Sequence, residues 1–306
     1  MQYQNSKSRD RRVIGVVAAI LLLLLPLPTT GYQAGASLTI TTEPNAAVWI
    51  DEIRRGTTDA SGKLVVPNVS AKRHAVRIRA VGFKESNTPL LPGKRVLAVK
   101  LVPTTDKGEL LFQQAEMARE KARDDAARQK AIETYREALK VRPIAAAHVG
   151  LARLLMDRDQ FNDALTEIDA ARRIRPSYPE ASAVQGRIHR EAGFPEDAIK
   201  AYRRSIREAG GFQPEAHVGL ARVWEEKGQF AEAVAEYQKA LNQLADSEPI
   251  IYQLLGAAYE RMEKPKEAVA AYEKYLELAP NGSLAPAIRS ILTQLKREAA
   301  GEQIIP

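Results

Sequence analysis

The feature that most constrains this chain is a spacing. Alanines recur at Ala131, Ala164, Ala198, Ala233 and Ala268, 33 to 35 residues apart. Four residues after each stands Tyr135, Ile168, Tyr202, Tyr237 or Tyr272, and seven after stands Ala138, Ala171, Ser205, Ala240 or Tyr275. Steps of three and four place side chains on one helix face. Phe161, Phe194 and Phe230 lead the middle copies, and Pro143, Pro176 and Pro280 follow twelve residues after the alanine in three copies. A proline has no N–H to give, so it ends the helix before it. An earlier column, Ala118, Ala152, Gly186, Ala221 and Gly256, belongs to a preceding helix and is flanked by Met117, Leu151, Gln185, Leu220 and Leu255. Gly193 and Gly228 fall between the two columns, where a turn with positive φ is expected. A period of this size means helix pairs that cannot bury their apolar faces alone and must stack.

These columns resemble the tetratricopeptide repeat. Five units fit, roughly 112–145, 145–178, 179–212, 214–247 and 249–282, within a helical region spanning 108–300. The departures are local: a charged turn from Arg123 to Arg128 in the first unit, Tyr275 at a small-residue position, and Gly210 and Ala245 in place of prolines. Leu284 to Lys296 reads as a closing helix with Ile288, Ile291, Leu292 and Leu295 as its buried stripe. The expected fold is an all-α solenoid of about five helix-turn-helix repeats plus a capping helix.

Residues 37–104 carry a different period. Leu38 and Ile40, Val48 and Ile50, Leu64 and Val66, Val76, Ile78 and Ala80, then Leu97, Val99 and Leu101 alternate with other residues. Period two marks strands with one buried face. Turn residues at Glu43-Pro44-Asn45, Asp59 to Gly62, Pro67-Asn68 and Pro92-Gly93 separate the runs. Five or six short antiparallel strands in a small sandwich are expected. The stretch Glu43-Pro44-Asn45-Ala46 with Val48-Trp49-Ile50-Asp51, Gly56-Thr57-Thr58 and Val81-Gly82-Phe83 resembles the PEGA domain. The tetrapeptide is degenerate, and Glu52 stands where glycine is usual. The resemblance implies a surface or envelope module without catalysis. Trp49 is read either as packed against the sandwich or as exposed for binding.

Residues 1–36 order a basic segment (Lys7, Arg9, Arg11, Arg12), an uncharged run from Val13 to Leu25, and Ala34-Gly35-Ala36 as a cleavage site. This is the pattern of a secretory signal peptide. Thirteen residues span about 20 Å, short of a hydrocarbon core of about 30 Å. Retention as an anchor through residues 13–28 is the alternative. Both readings place the protein outside the cytoplasm, periplasmic or envelope-associated. With no cysteine, disulfides, thiolate metal sites and a lipid-modified cysteine are excluded.

The net charge of +7 is unevenly spread: residues 37–107 hold 12 Lys/Arg against 6 Asp/Glu, and residues 108–306 hold 29 against 31. The basic excess of the folded part thus belongs to the β segment. It is read as a solubilising surface or as a contact with an acidic partner, an envelope surface or anionic polymer. Export argues against nucleic acid.

The sharpest site signal follows the first-helix column: Arg119, Arg153, Arg187 and Arg222, then Ala257. Equivalent positions stack along a solenoid, and the resemblance implies that this column faces the ligand groove. Arginine forks suit carboxylates and backbone carbonyls. The competing reading pairs them internally with Glu116, Asp157, Glu191, Glu225, Glu226 or Glu260. Val149, Met156, Ala183, Arg190, Val218 and Gln253 complete the candidate groove, whose mixed character suits a peptide or a partner's helix. A ligand is expected to engage the first four repeats more than the fifth.

His74, His148, His189 and His217 lack metal-pair spacing, no phosphate loop or nucleophile motif occurs, and no cofactor is implied. The chain reads as a non-enzymatic exported scaffold binding a protein or peptide. The alternatives are a permanent subunit of an export or cell-wall assembly, and an anion- or glycan-binding module.

Overall fold

The structure is a computed structural model that describes residues 36–300 except 52, 70, 72 and 245–247. The export signal or anchor, residue 52 and residue 245 therefore lie outside the described residues. No helix among the described residues is long and apolar enough to cross a membrane. The described residues all belong to one compact unit.

The β segment is a two-sheet sandwich. Its strands are β1 (Ala36–Thr41), β2 (Ala47–Ile50), β3 (Ile53–Thr57), β4 (Lys63–Val69), β5 (His74–Arg79), β6 (Ser86–Leu90) and β7 (Val96–Ala98). One sheet has the order β4-β1-β7 and the other β3-β2-β5-β6. Leu38, Ile40, Val48, Ile50, Val66, Val76 and Ile78 fill the space between them, each at most 2% exposed. The alternation that forms the strands therefore also forms the core.

Two expectations are corrected here. There are seven strands among the described residues, and β1 pairs with β7 in parallel. The strands without a sequence signal are β3 and β6, both at edges of the four-stranded sheet. An edge strand needs fewer buried side chains and tolerates Pro89, which would cost a ladder bond in a central strand.

The solenoid runs through α1 (Lys107–Lys121), α2 (Asp125–Val141), α3 (Ala145–Met156), α4 (Phe161–Ile174), α5 (Pro179–Glu191), α6 (Pro195–Glu208), α7 (Pro214–Glu226), α8 (Phe230–Leu244), α9 (Ile250–Arg261), α10 (Pro265–Leu278) and α11 (Ala285–Ala299). The helix boundaries follow local chemistry. Asp106 and Asp124 cap α1 and α2 by accepting from the backbone N–H groups of Glu109 and Ala127, both at 2.7 Å. Proline opens α5, α6, α7 and α10. α2, α4 and α10 each stop two residues before Pro143, Pro176 or Pro280. The capping helix buries Ile288, Leu292 and Leu295, but Ile291 is 39% exposed, which corrects the expected stripe.

The packing rule of the solenoid is a tyrosine set against glycine. A Cβ on Gly186 would come within 2.7 Å of the Tyr202 ring, and one on Gly219 would strike the same ring from the next pair. Gly150 meets Tyr135 and Gly256 meets Tyr272 in the same way. Bare backbone at these positions lets the ring lie flat against a neighbouring helix. The turns inside the pairs need positive φ: Gly193 (80°) and Gly228 (73°) meet this freely, whereas Asp159 (57°) and Glu263 (56°) occupy the equivalent turns with side chains.

Two stability predictions follow from these backbone positions. Gly219→Ala overpacks Tyr202 and is expected to lower unfolding stability by about 1–3 kcal/mol. Glu263→Gly relieves a left-handed backbone strain of about 1 kcal/mol, part of which the freer unfolded chain offsets, so a small gain is expected. Denaturant unfolding of each variant measures both.

Candidate functional site

The first helices of all five pairs, α1, α3, α5, α7 and α9, contribute to one cavity of about 540 Å³. Its remaining wall comes from the β sandwich. On β2 and β5 the pleat points Val48, Ile50, Val76 and Ile78 into the sandwich and Trp49, Arg77 and Arg79 to the other face, with Trp49 opposite Arg77 and Ala47 opposite Arg79. That outer face ought to be solvated, yet Arg77 and Arg79 are each only 8% exposed. They are buried because the helices cover them.

The contact is built on charge. Arg79 donates Nε and Nη2 to Glu85 at 2.9 and 2.7 Å and Nη1 to Glu116 of α1 at 3.1 Å. Its guanidinium also stacks over Phe112 of α1 at 4.5 Å. Arg77 lies 4.4 Å over the Trp49 ring and pairs with Glu180 of α5 at 3.8 Å. Gln113 completes the contact through its side-chain amide, accepting from Gly82 N–H and donating to Phe83 C=O at 2.9 and 2.7 Å. At the rim, Arg54 binds Glu120 at 2.7 Å with both side chains well exposed. Exposed pairs contribute roughly 0–1 kcal/mol, whereas removing one partner of a buried pair such as Arg79–Glu116 costs about 3–5 kcal/mol.

Glu116 and Glu180 are held ionised. Burial by itself pushes each carboxyl up, but Arg119 and Arg79 around Glu116, and Arg153, Arg77 and Arg79 around Glu180, outweigh it and hold both below the usual carboxylate range. The Tyr135 hydroxyl also donates to Glu116. The same tyrosine column donates to Glu225 from Tyr237 at 2.8 Å and to Glu260 from Tyr272.

The arginine column divides. Arg119 contacts Glu116 at 3.4 Å and the Tyr135 hydroxyl at 3.2 Å. Arg153 donates to Glu180 at 3.2 Å. Arg187 is half exposed, 3.9 Å from Asp157, and does not line the cavity. Arg222 lines the cavity and makes no ion pair or hydrogen bond among the described residues.

Other groove candidates need correction. Val149, Met156 and Ala183 are 1%, 3% and 1% exposed, packed between helices. Arg190 is engaged by Glu191 and Glu226. Val218 and Gln253 are half-buried, and only Val218 lines the cavity. The sheet lies against α1 and α5 through Glu116 and Glu180, and α3, α7 and α9 also line the cavity. Sequence reasoning missed Glu180, Trp49's stacking, and the apolar Ile251 and Leu254. The strand period placed Trp49, Arg77 and Arg79 on one face, which is the signal that was available.

His148 and His217 occupy equivalent repeat positions and bind Glu167 and Glu236 at 2.5 and 2.6 Å. No cluster among the described residues could hold a metal ion.

Stacked helix pairs whose first helices share one inner face define a repeat solenoid. Residues 122–179 and 184–249 match one tetratricopeptide-repeat profile, and residues 249–281 match a second. The chain belongs to the tetratricopeptide-repeat family. No curated protein matches the sequence. Among solved structures it is similar to PilW, described as a widely conserved type IV pilus biogenesis factor (14% identity, TM-score 0.55, covering 65% of this chain and 90% of that one). It is similar to PilF of Pseudomonas aeruginosa (14%, 0.54, 64% and 86%) and to a thermophilic repeat protein of Thermus thermophilus (21%, 0.50, 62% and 98%). At these identities the likeness is one of fold.

Arg79→Ala leaves the mostly buried Glu116 with fewer counter-charges and is expected to cost about 3 kcal/mol, read by denaturant unfolding. Because the pKa values of Glu116 and Glu180 are depressed in the folded state, their contribution is complete above the ordinary glutamate pKa of about 4.3 and is lost as pH falls through the depressed values. Unfolding curves across that acid range should lose stability in wild type and show a flatter acid limb in Arg79→Met.

Proposed function

We propose that this protein is an exported, non-enzymatic adaptor that binds a protein or peptide partner in the groove of its repeat solenoid. One observation carries the reading: the inner face retains a cavity reaching α7 and α9, with an apolar wall and with Arg222, which makes no side-chain hydrogen bond or ion pair among the described residues, after the sheet has covered α1 and α5. Residues 37–104, PEGA-like in sequence, serve in this reading as a groove wall. Arg54, Arg77 and Arg79 meet acids of the same chain, so contact with an envelope surface or anionic polymer falls to exposed lysines such as Lys63, Lys84, Lys94 and Lys100. Export rests on the basic and apolar pattern of residues 1–36.

A permanent role in an export or cell-wall assembly is the second reading. PilW is a pilus biogenesis factor, but its likeness is of fold, so the two readings are separated by experiment. A photo-crosslinking residue placed at Val218 or Leu254, both lining the cavity, in intact cells is expected to capture the same partner from both positions. The same residue at Arg203, exposed on α6, should not capture it. No capture from the groove, or equal capture from α6, overturns the groove reading. A captured complex that survives high salt favours the permanent subunit.

A further inference from the structure

The sandwich has two unlike ends. One is joined to the helices: Phe83 pairs with Pro103, and Gln113 of α1 holds Gly82 and Phe83. The other is where the chain enters β1. There Ala36 stands opposite Val69, the last residue of β4, and His74, the first of β5, stands opposite Leu90, the last of β6. The turns that follow Val69 and Leu90 are bonded to each other. Gly93 N–H donates to Ala71 C=O at 3.0 Å, and Arg95 Nη1 donates to Val69 C=O at 2.6 Å.

These turns present a small apolar and basic surface. Lys94 N–H donates to Leu91 C=O at 3.2 Å across Pro92 and Gly93 (φ 76°), a tight turn that fixes Leu91 and Lys94 in place. Leu91 and Val96 are 52% and 66% exposed, and Ala71 and Pro92 are exposed with them. Arg73 and Lys94 are exposed and make no side-chain hydrogen bond or ion pair among the described residues. The charge at this end is positive. The two turns hold Lys72, Arg73, Lys94 and Arg95 and no acid, and the acids here are Asp51 and Glu52 after β2. Asp51 is engaged by His74 at 2.5 Å and by the Ala75 N–H at 2.9 Å. Arg55 of β3 offsets Glu248, the acid of the helical part that acts on it. The opposite end also exposes Val81 and Val102, but it sets Glu43, Asp59 and Glu85 against Lys63, Lys84 and Lys100.

We propose that the entry end of the sandwich rests on an anionic phospholipid surface. Leu91 and Pro92 enter the headgroup layer, with Val96 at its edge, and Arg73 and Lys94 meet lipid phosphates. Apolar side chains beside basic ones suit the membrane interface, where burial and attraction to anionic lipid act together. Chain order favours a membrane over a soluble polyanion. Eight residues lead from Pro28 to Ala36, a reach of at most about 30 Å. An anchor retained through residues 13–28 therefore delivers this end of the sandwich, and not the α1 end, to the bilayer. A weak surface contact and an anchor reinforce each other through effective concentration. The assignment rests on the envelope-contact part of the reading above and names its surface; of the four lysines given there, only Lys94 belongs to it. The groove plays no part.

The chain has no cysteine, so a single introduced cysteine carries one probe. An NBD fluorophore is attached to the full chain at Ala71→Cys, in the entry-end turns, or at Ala60→Cys, exposed in a turn of the opposite end. With vesicles of phosphatidylcholine and phosphatidylglycerol, the probe at position 71 is expected to shift to the blue and to be quenched by doxyl-labelled lipid, and the probe at position 60 to do neither. Each basic residue near an anionic surface changes the bound-to-free ratio about fivefold, so Arg73→Gln with Lys94→Gln should lower that ratio at least about tenfold. Vesicles of phosphatidylcholine alone should lower it likewise, and Leu91→Ser should reduce the quenching without moving the unfolding curve. No blue shift at position 71, equal quenching at positions 60 and 71, or indifference to both lipid charge and the double substitution overturns the proposal. A saturable response to dextran sulfate, abolished by the double substitution, with none to the vesicles would leave the envelope-contact reading standing with a polymer and remove this one. Capture from Val218 and Leu254, or its absence, bears on the groove alone.

Discussion

The contact between Tyr135 and Glu116 joins the two ways in which this molecule is held together. Tyr135 belongs to the repeat: its ring lies where Gly150 leaves room, so helix packing fixes it. Its hydroxyl donates to Glu116, and Glu116 in turn accepts from Arg79 of the sheet. Apolar packing thus positions a carboxylate, and the carboxylate positions a second structural layer. A buried carboxylate with several donors is a stiff anchor, because each lost donor leaves part of a charge unsolvated. The first repeat differs from the later ones here. Glu225 and Glu260 take the tyrosine hydroxyls in the fourth and fifth repeats.

The consequence for function is that one face is shared between two uses. The inner face of a repeat solenoid is a large, mixed surface suited to partner chains. In this protein the sheet covers α1 and α5 through Arg77 and Arg79 and leaves α7 and α9 lining the remaining space. The arginine column is consequently divided by its surroundings: Arg119 and Arg153 are drawn into the contact with the sheet, and Arg222 is not. Identical repeat positions acquire different chemistry because the repeat is periodic and its covering is not.

Charge distribution has the same explanation. A basic β segment beside an acidic helical region could be two independent surfaces. The structure instead sets the arginines of one against the glutamates of the other, with Trp49 and Phe112 stacked on the guanidinium planes. Planar stacking lets an arginine lose water on its faces while its edge keeps its hydrogen bonds. That is why Arg79 can be as buried as a core residue and remain charged.

The sequence by itself determined the helix pairs, their number and order, the tyrosine and glycine columns, and the central strands. Each of these is a local pattern, a period of two or of three to four or a repeat of about 34 residues, and local patterns survive in one dimension. It did not determine the edge strands β3 and β6, whose few buried side chains leave little alternation to read. Nor did it determine that Val149 and Met156 are core or that Ile291 faces outward, since a helix shows which residues share a face and not what covers that face. The docking of the sheet was decided only in the tertiary structure. Arg79 and Glu116 are 37 residues apart, Arg77 and Glu180 further still, and the two partners belong to patterns of different period. No one-dimensional regularity links them; complementary charge on a strand face and a helix face does.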